Sequence, residues 1–278
     1  LIVKEVILFK RSISISRIKK NERTELEDTV LIEEPIDLFV NSEALVNIIC
    51  LPHDLKELSL GFLYSIGIIN SIKDVKNISV IELENCINVT LTERIDFNIK
   101  DLEINPVSRV VDSTCGISSP WRNAIKKTLE KVKVKGTLKA KSDIKLKSEI
   151  IFKALKKMQL NTPIYRETGG CHGAAIFDFK GTLLSVKEDI GRHNAIDKVI
   201  GDLLLKEYSF DNVFLTSTGR LTGDIVLKAI RAKIPIVASF SAAIESGIRL
   251  AFAYGITLIG FARGSRMNVY THPERIII

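Results

Sequence analysis

The chain has four cysteines, and their settings differ. Cys115 sits in Ser-Thr-Cys-Gly-Ile-Ser-Ser-Pro, among small residues, with a cationic stretch starting at Arg122. Nearby positive charge favours the thiolate and an open loop lets a partner reach it, which is the setting of a sulfur-handling cysteine. The commonest fate of a free cysteine is to be a small buried hydrophobe, and Cys50, inside the apolar run ALVNIIC, suits that role better. Cys171 stands beside His172 directly after Gly169 and Gly170. It reads either as a nucleophile or metal ligand or as a packed thiol, and adjacent side chains on an extended strand point to opposite faces. Zinc deaminases need H-x-E and P-C-x-x-C, and neither occurs here. Without a short-range cysteine pair there is no basis for a disulfide framework or a four-thiolate zinc site, so no structural metal is expected.

A second group of residues could hold an anion. Thr168-Gly169-Gly170, Glu188-Asp189-Ile190-Gly191-Arg192-His193-Asn194, Ser217-Thr218-Gly219-Arg220 and Arg263-Gly264-Ser265-Arg266 each follow or precede an apolar run. Glycine lets a backbone approach a ligand closely, and arginine offers a planar fork matched to phosphate or carboxylate. Taken singly, each is also an ordinary glycine turn with surface arginines. Four of them at successive strand ends favour the anion site.

The elements that must carry these groups follow from apolar periodicity. Short β-branched runs over residues 1 to 50 (VILF, SISIS, TVLI, IDLFV, ALVNIIC) read as strands. Pro52 and Asp54 then introduce LKELSLGFLYSIGII, a helix with Asp54 as N-cap and Gly67 as its end. NISVIELEN and NVTLTERI are two more strands, and residues 105–121 form a loop. KSEIIFKALKKMQL is a helix with Ile150, Ile151, Ala154, Leu155 and Met158 on one face. From residue 164 the pattern is a hairpin through Lys180-Gly181, then helix, strand, helix, strand, helix, strand. That alternation indicates a three-layer α/β domain, in which ligands gather at strand ends.

Composition narrows the classes. The chain has 278 residues, 46% hydrophobic and 26% charged, the proportions of a folded globular protein of one large or two modest domains. The apolar stretch Leu250 to Ala262 is too short to cross a bilayer. The N-terminal stretch carries lysines within its apolar run and has no small-residue cleavage site, so a cytoplasmic location and no membrane partner are expected. Residues 122–157 hold thirteen basic side chains against three acidic ones, although the whole chain is only +7. Such a block is either a solvated helix face or a contact for nucleic acid, a phosphorylated ligand or an acidic protein face. Only Trp121 and Phe152 interrupt it with aromatic rings, which counts against stacking on single strands.

The segments LPHDLKELSLGFLYSIGII, TGGCHGAAIF, EDIGRHNAIDKVIG, STGR and LIGFARGSRMNVYTHPERI together resemble the FdhD/NarQ family, in its order and spacing, over almost the whole chain. The resemblance implies an α/β protein, α+β overall. A small N-terminal α+β domain (1–145) is followed by a three-layer cytidine-deaminase-like, cofactor-binding domain (146–278) without the deaminase zinc site. It implies a sulfur carrier, a sulfurtransferase-type protein with a persulfide cysteine. Such a carrier accepts sulfur from a cysteine desulfurase and passes it to the molybdenum or tungsten bis-guanine-dinucleotide cofactor needed by formate dehydrogenase. The persulfide cysteine falls on Cys115. The cofactor segment falls on Phe261, Ala262, Arg263, Gly264, Ser265 and Arg266, and Gly169, Gly170, Arg192, His193, Asn194 and Arg220 are assigned to the same pocket by inference. A homodimer is implied as well. Two departures stand out: Ser118 occupies the place of a second loop cysteine, and Ile66 that of an acidic residue in the helix motif. Ser118 leaves open a second reading, a cofactor-binding chaperone that moves no sulfur.

Overall fold

A computed structural model describes residues 9–98, 110–111 and 144–278. Cys115, Ser118, most of the loop around them and the basic block up to residue 143 lie outside the described residues, as does the VILF run apart from Phe9. The architecture is mixed α+β. Strands β1 (Lys10–Lys19) and β2 (Glu22–Leu31) form a separate hairpin. Strands β3 (Glu34–Val40), β4 (Glu43–Cys50), β5 (Val75–Ile81), β6 (Cys86–Leu91) and β7 (Val110–Val111) make a five-stranded sheet in the order β5-β6-β3-β4-β7, and helix α1 (Leu55–Ile66) packs on it.

Strand β8 (Leu146–Lys147) pairs with β15 (Ile276–Ile277) and leads into α2 (Ser148–Leu160) and α3 (Pro163–Thr168). The remaining strands are β9 (His172–Asp178), β10 (Leu183–Asp189), β11 (Val213–Ser217), β12 (Ile236–Ser239), β13 (Thr257–Arg263) and β14 (Arg266–Val269). They form a six-stranded sheet in the order β10-β9-β11-β12-β13-β14, with β11, β12 and β13 parallel. Helices α4 (Arg192–Leu205), α5 (Gly223–Arg231) and α6 (Glu245–Tyr254) are its connections. No helix among the described residues is long and apolar enough to cross a membrane.

Alternate strand residues serve two cores, as the period of two dictates. Ala174, Ile176, Val213, Leu215, Val237 and Leu258 join α4 and α5 in a cluster that continues through α1 into β3, β4 and β6. Ala175, Phe177, Phe214, Ala238 and Ile259 face the other way, onto Ile151, Ala154, Leu155 and Met158 of α2. The helical face expected for α2 is therefore the packed one. Four elements escaped the periodicity: α3 has six residues, β8 and β15 two each, and β14 exists because the chain turns back at Gly264.

Helix α1 is buried from Leu58 to Ile66 and ends as expected at Gly67, in the left-handed region at φ 85°. Its start differs from expectation. Asp54 occupies the N-cap position but at φ 54°, and its side chain makes no cap; the carboxylate instead meets Lys187 Nζ at 2.6 Å and His53 Nδ1 at 2.9 Å. Burial alone would raise Asp54, but His53 and Lys187 hold it well below the usual carboxylate range. Ile66 is 1% exposed inside the shared core, so the departure at that position serves packing rather than a partner face.

Helices α1 and α4 touch backbone to backbone. A Cβ on Gly61 would lie 1.8 Å from the carbonyl oxygen of Asp197, and one on Gly201 would lie 1.9 Å from that of Glu57. Beside this crossing Asp197 is enclosed with Lys228, whose Nζ stands 2.6 Å from both carboxylate oxygens, and with the Ser65 hydroxyl at 2.7 Å. Arg231 of α5 closes the end of α1, donating to Tyr64 O at 3.1 Å and Ile69 O at 3.0 Å. Cationic hydrogen bonds to helix-terminal carbonyls complement the dipole.

Two stability predictions follow from this crossing. Gly201→Ala gains about 1 kcal/mol of helix propensity yet should lower unfolding free energy by about 3 kcal/mol through overpacking, read as a lower urea midpoint at unchanged slope. Lys228→Met should cost about 3–5 kcal/mol by leaving the Asp197 carboxylate buried without its cation. Burial already pushes Asp197 up with Lys228 in place. The deficit should therefore be full above the raised Asp197 pKa and shrink as acid protonates the carboxyl, while Asp197→Leu combined with Lys228→Met should recover most of the loss. A deficit independent of pH would contradict the assignment.

Candidate functional site: one rim of the six-stranded sheet

The C-terminal ends of β10, β11, β12 and β13 and the N-terminal end of β9 lie on one rim, because β9 runs antiparallel to both neighbours while β11 to β13 run parallel. At about 4.8 Å per strand spacing, these five ends span roughly 19 Å. Along this rim the structure brings together the turns that the sequence offered as an anion site.

The turn after β10 is held from inside. Asp189 is fully buried; its Oδ1 accepts the Gly191 N–H at 2.8 Å and the Asn194 amide at 3.0 Å, and its Oδ2 accepts the Leu51 N–H at 3.2 Å. Lys198 Nζ, also fully buried, lies 2.7 Å from Oδ2 and donates to Leu51 O at 3.1 Å. Asn194 Nδ2 donates further to Ile49 O at 3.0 Å. The network ties the end of β4 to the start of α4. Asn194 is thus engaged with the interior, and His193 is buried beside it at 4% exposure.

Arg192, at the first position of α4, lies against Gly219: a Cβ there would stand 2.9 Å from Arg192 Cβ. Any other residue in the Ser-Thr-Gly-Arg turn would displace this arginine. Thr218 Oγ1 takes the Gly173 N–H at 3.1 Å and lies 3.1 Å from His172 Nδ1. Burial and then the Arg192 charge push the His172 pKa down, so the imidazole is neutral at neutral pH. Arg220 is exposed at the mouth of the same turn. Gly169 and Gly170 have a local job: Gly169 ends α3 at φ 66°, and Gly170 packs beside Leu31 of the β1–β2 hairpin.

The far end of the rim is the β13–β14 turn. Phe261 sits at φ 50° where the β13–β14 ladder is irregular, and its N–H donates to Ser241 O at 2.9 Å. This conformation is uncommon for a bulky residue, and it leaves the ring 40% exposed. Ala262 is buried in the second core and anchors the turn. Arg263 donates to Phe240 O at 3.1 Å and pairs across the ladder with Arg266, the turn between them being Gly264, at φ 59°, and exposed Ser265. Like charges directly opposite destabilise a hairpin. An anion between two guanidinium groups would relieve that repulsion, and an exposed ring nearby could stack on a planar group. Among the described residues no group of three His, Cys, Asp or Glu side chains could hold a metal ion.

The described thiols are all disfavoured as nucleophiles. Cys171 is buried with Sγ 3.6 Å from Glu188 Oε1, and burial followed by the Glu188 charge pushes it up to about 12. Glu188, itself raised by burial, accepts the Ile164 and Tyr165 N–H groups at the start of α3. Burial and the Asp189 charge push Cys50 further still, and burial with Glu84 raises Cys86. Cys115 lies outside the described residues. Sequence reasoning took Glu188, Asp189 and Thr218 only as turn members and passed over Lys198. The available signal was a lysine inside the apolar helix run AIDKVIGDLLL, where only a buried partner makes the charge tolerable.

The family model described as the FdhD/NarQ family matches residues 31–277. A "Sulfur carrier protein FdhD" from Sulfolobus acidocaldarius is 41% identical over 268 residues, covering 96% of this chain and 98% of the relative. One of the same description from Bacillus subtilis strain 168 is 35% identical over 260 residues, covering 94% and 95%. The crystal structure of a proposed formate dehydrogenase accessory protein from Desulfotalea psychrophila superimposes with a TM-score of 0.74 at 29% identity, over 97% of this chain and 100% of that one. With nearly its whole length matched by the family model, by relatives and by a solved fold, the chain belongs to the FdhD/NarQ family.

Proposed function

We propose that the chain is a cytoplasmic sulfur carrier serving formate dehydrogenase, with Cys115 as the persulfide cysteine. A cysteine desulfurase is the donor and a molybdenum or tungsten bis-guanine-dinucleotide cofactor the client. The observation that carries this reading is the state of the other thiols: Cys50, Cys86 and Cys171 are all held toward the protonated form. Cys115 alone stands in sequence before a cationic block that favours a thiolate. In the loading step the Cys115 thiolate attacks the outer sulfur of the donor persulfide. The donor's sulfur–sulfur bond breaks, its thiolate leaves, and Cys115 keeps the outer sulfur. Release of that sulfur as sulfide for the client, with return of Cys115 to the thiol, consumes two electrons, which an external dithiol would supply as it becomes a disulfide.

The residues of the rim fit a client of this chemistry. Arg263 and Arg266 would hold a pyrophosphate, Phe261 would stack on a guanine, and Arg192 and Arg220 would extend the positive rim toward β10. Gly219 keeps the backbone low beneath Arg192. Asn194 acts from inside, by fixing the turn that carries Arg192, with His193 buried beside it. A homodimer is part of the reading. Ser118 supports the second reading, a chaperone that presents the cofactor without moving sulfur, because no second loop cysteine is available to receive it.

Intact mass after incubation with a cysteine desulfurase and cysteine tests the carrier. The wild type and Cys171→Ser should each gain one sulfur, about 32 Da, and Cys115→Ser none. No adduct on the wild type, with formate dehydrogenase still activated by Cys115→Ser, would leave the chaperone. For the rim, Arg263→Ala with Arg266→Ala should weaken guanosine diphosphate binding by about 100-fold in calorimetry, at about 1.4 kcal/mol for each lost charged contact. Phe261→Ala should weaken it by about tenfold. Unchanged affinity in all three substitutions would remove the rim as the cofactor site.

A further inference from the structure

A histidine's hydrogen-bonding role depends on where a single proton sits. His172 opens β9 opposite Asp189 of β10, and it shares the strand face of Ala174 and Ile176, on which α4 packs. Cys171, one residue earlier, lies on the other face with Glu188. The His172 ring is partly buried, and three charged groups act on it: Arg192 from the start of α4, Arg220 from the turn after β11, and Asp189 from β10. Asp189 is engaged by the buried Lys198 at 2.7 Å, so the field left at the ring is that of two arginines.

One side of the ring is already in use. Thr218 Oγ1 lies 3.1 Å from Nδ1 and 3.1 Å from the Gly173 nitrogen, whose N–H it accepts. Among the described residues Nδ1 is the only acceptor in reach of that hydroxyl, so Thr218 donates to Nδ1. A neutral imidazole that accepts at Nδ1 carries its hydrogen on Nε2. Nε2 meets no hydrogen-bond partner among the described residues, which leaves one oriented N–H donor on the rim near Arg220. A neutral donor among cations suits an anion, because it offers a hydrogen bond without adding a third positive charge to the unliganded protein.

On the reading that the rim holds the phosphates of the client, we propose that His172 donates its Nε2–H to a phosphate oxygen of that ligand, with Thr218 as the positioning residue that fixes the tautomer. Arg220 supplies the long-range charge and His172 the short, directional contact. The same ring accepts a proton once the anion is in place, since a phosphate beside it favours the imidazolium. Nδ1 then takes the proton, and the Thr218 hydroxyl turns to accept from it while keeping the Gly173 N–H on its other lone pair. Without ligand His172 sits below the ordinary histidine value, and the bound anion raises it. Affinity therefore gains as pH falls through the interval between the two values. The phosphate's own titration is common to every variant and cancels in their ratio.

Guanosine diphosphate is the probe, titrated into the full chain by calorimetry at pH 8 and pH 6. At pH 8 His172→Ala should weaken binding about tenfold, the loss of one hydrogen bond to a charged group. His172→Gln puts an amide N–H where Nε2–H stood and should stay within about threefold of the wild type. Thr218→Val keeps the shape but removes the hydroxyl, and should weaken binding about threefold. At pH 6 the ratio of wild-type to His172→Gln affinity should widen. The wild type should also take up more protons per ligand bound than His172→Gln, read from the binding enthalpy in buffers of different ionisation heat. Equal weakening in His172→Ala and His172→Gln, or a ratio independent of pH, would give His172 a structural part only and overturn the proposal. No binding to the wild type would remove the rim reading and the proposal with it. Weakening by Arg263→Ala with Arg266→Ala but not by His172→Ala would leave the rim standing and overturn the His172 contact alone.

Discussion

Everything about the rim depends on how closely α1 and α4 approach. With Gly61 against the Asp197 carbonyl and Gly201 against the Glu57 carbonyl, there is no room for any side chain at the crossing. Two helices in such contact cannot slide past one another, because each glycine fits only one place on its neighbour. The buried Asp197–Lys228 pair and Ser65 reinforce that single register. A buried ion pair adds little net stability, since desolvation offsets its attraction, but breaking it strands a charge. Its contribution is to make misaligned packings expensive.

That register sets the geometry at the other end of α4. The same helix begins at Arg192, and the Asp189–Lys198 pair clamps this beginning to Leu51 at the end of β4. The five-stranded sheet therefore helps to position an arginine on the rim of the six-stranded one. The residues on the rim then divide by burial. Asn194 holds the turn from inside and His193 is buried beside it, whereas Arg220, Phe261, Arg263 and Arg266 are exposed. Within the Gly191-Arg192-His193-Asn194 motif every residue is buried, Arg192 at 9% exposure, so the solvent-facing groups of the rim come from the Arg220 and β13–β14 turns.

That split explains what could be read in advance. Apolar periodicity located α1, α2, α4 and α5, and the Lys180-Gly181 turn located the β9–β10 hairpin, because burial repeats at the period of the element. The N-cap role of Asp54 was wrong in detail: its carboxylate responds to Lys187, 133 residues away, which no local signal reveals. Likewise the partnership of Asp189 with Leu51 spans 138 residues. Strand β14, RMNV, does alternate, with Met267 and Val269 packed on the second core, but four residues are too short a run to stand out, and the turn at Gly264 is what returns the chain to β13. Gly169-Gly170 and Gly219 looked alike as glycine turns. Only packing separates them: nothing lies within 4 Å of a Cβ at Gly169, whereas one at Gly219 would strike Arg192.

The treatment of cysteine follows the same logic of what is kept inside. A buried thiol beside a carboxylate is doubly discouraged from ionising, once by the loss of water and once by the like charge that ionisation would create. Cys50 meets both conditions through Asp189, and Cys171 through Glu188. These carboxylates are not present to tune sulfur: Asp189 is fixed by Lys198 and the Leu51 N–H, and Glu188 by the first amides of α3. Suppression of the internal thiols is thus a by-product of the networks that build the rim. Cys50 and Cys171 are thereby held toward the protonated thiol at neutral pH by groups whose first task is to fix the turn after β10 and the start of α3.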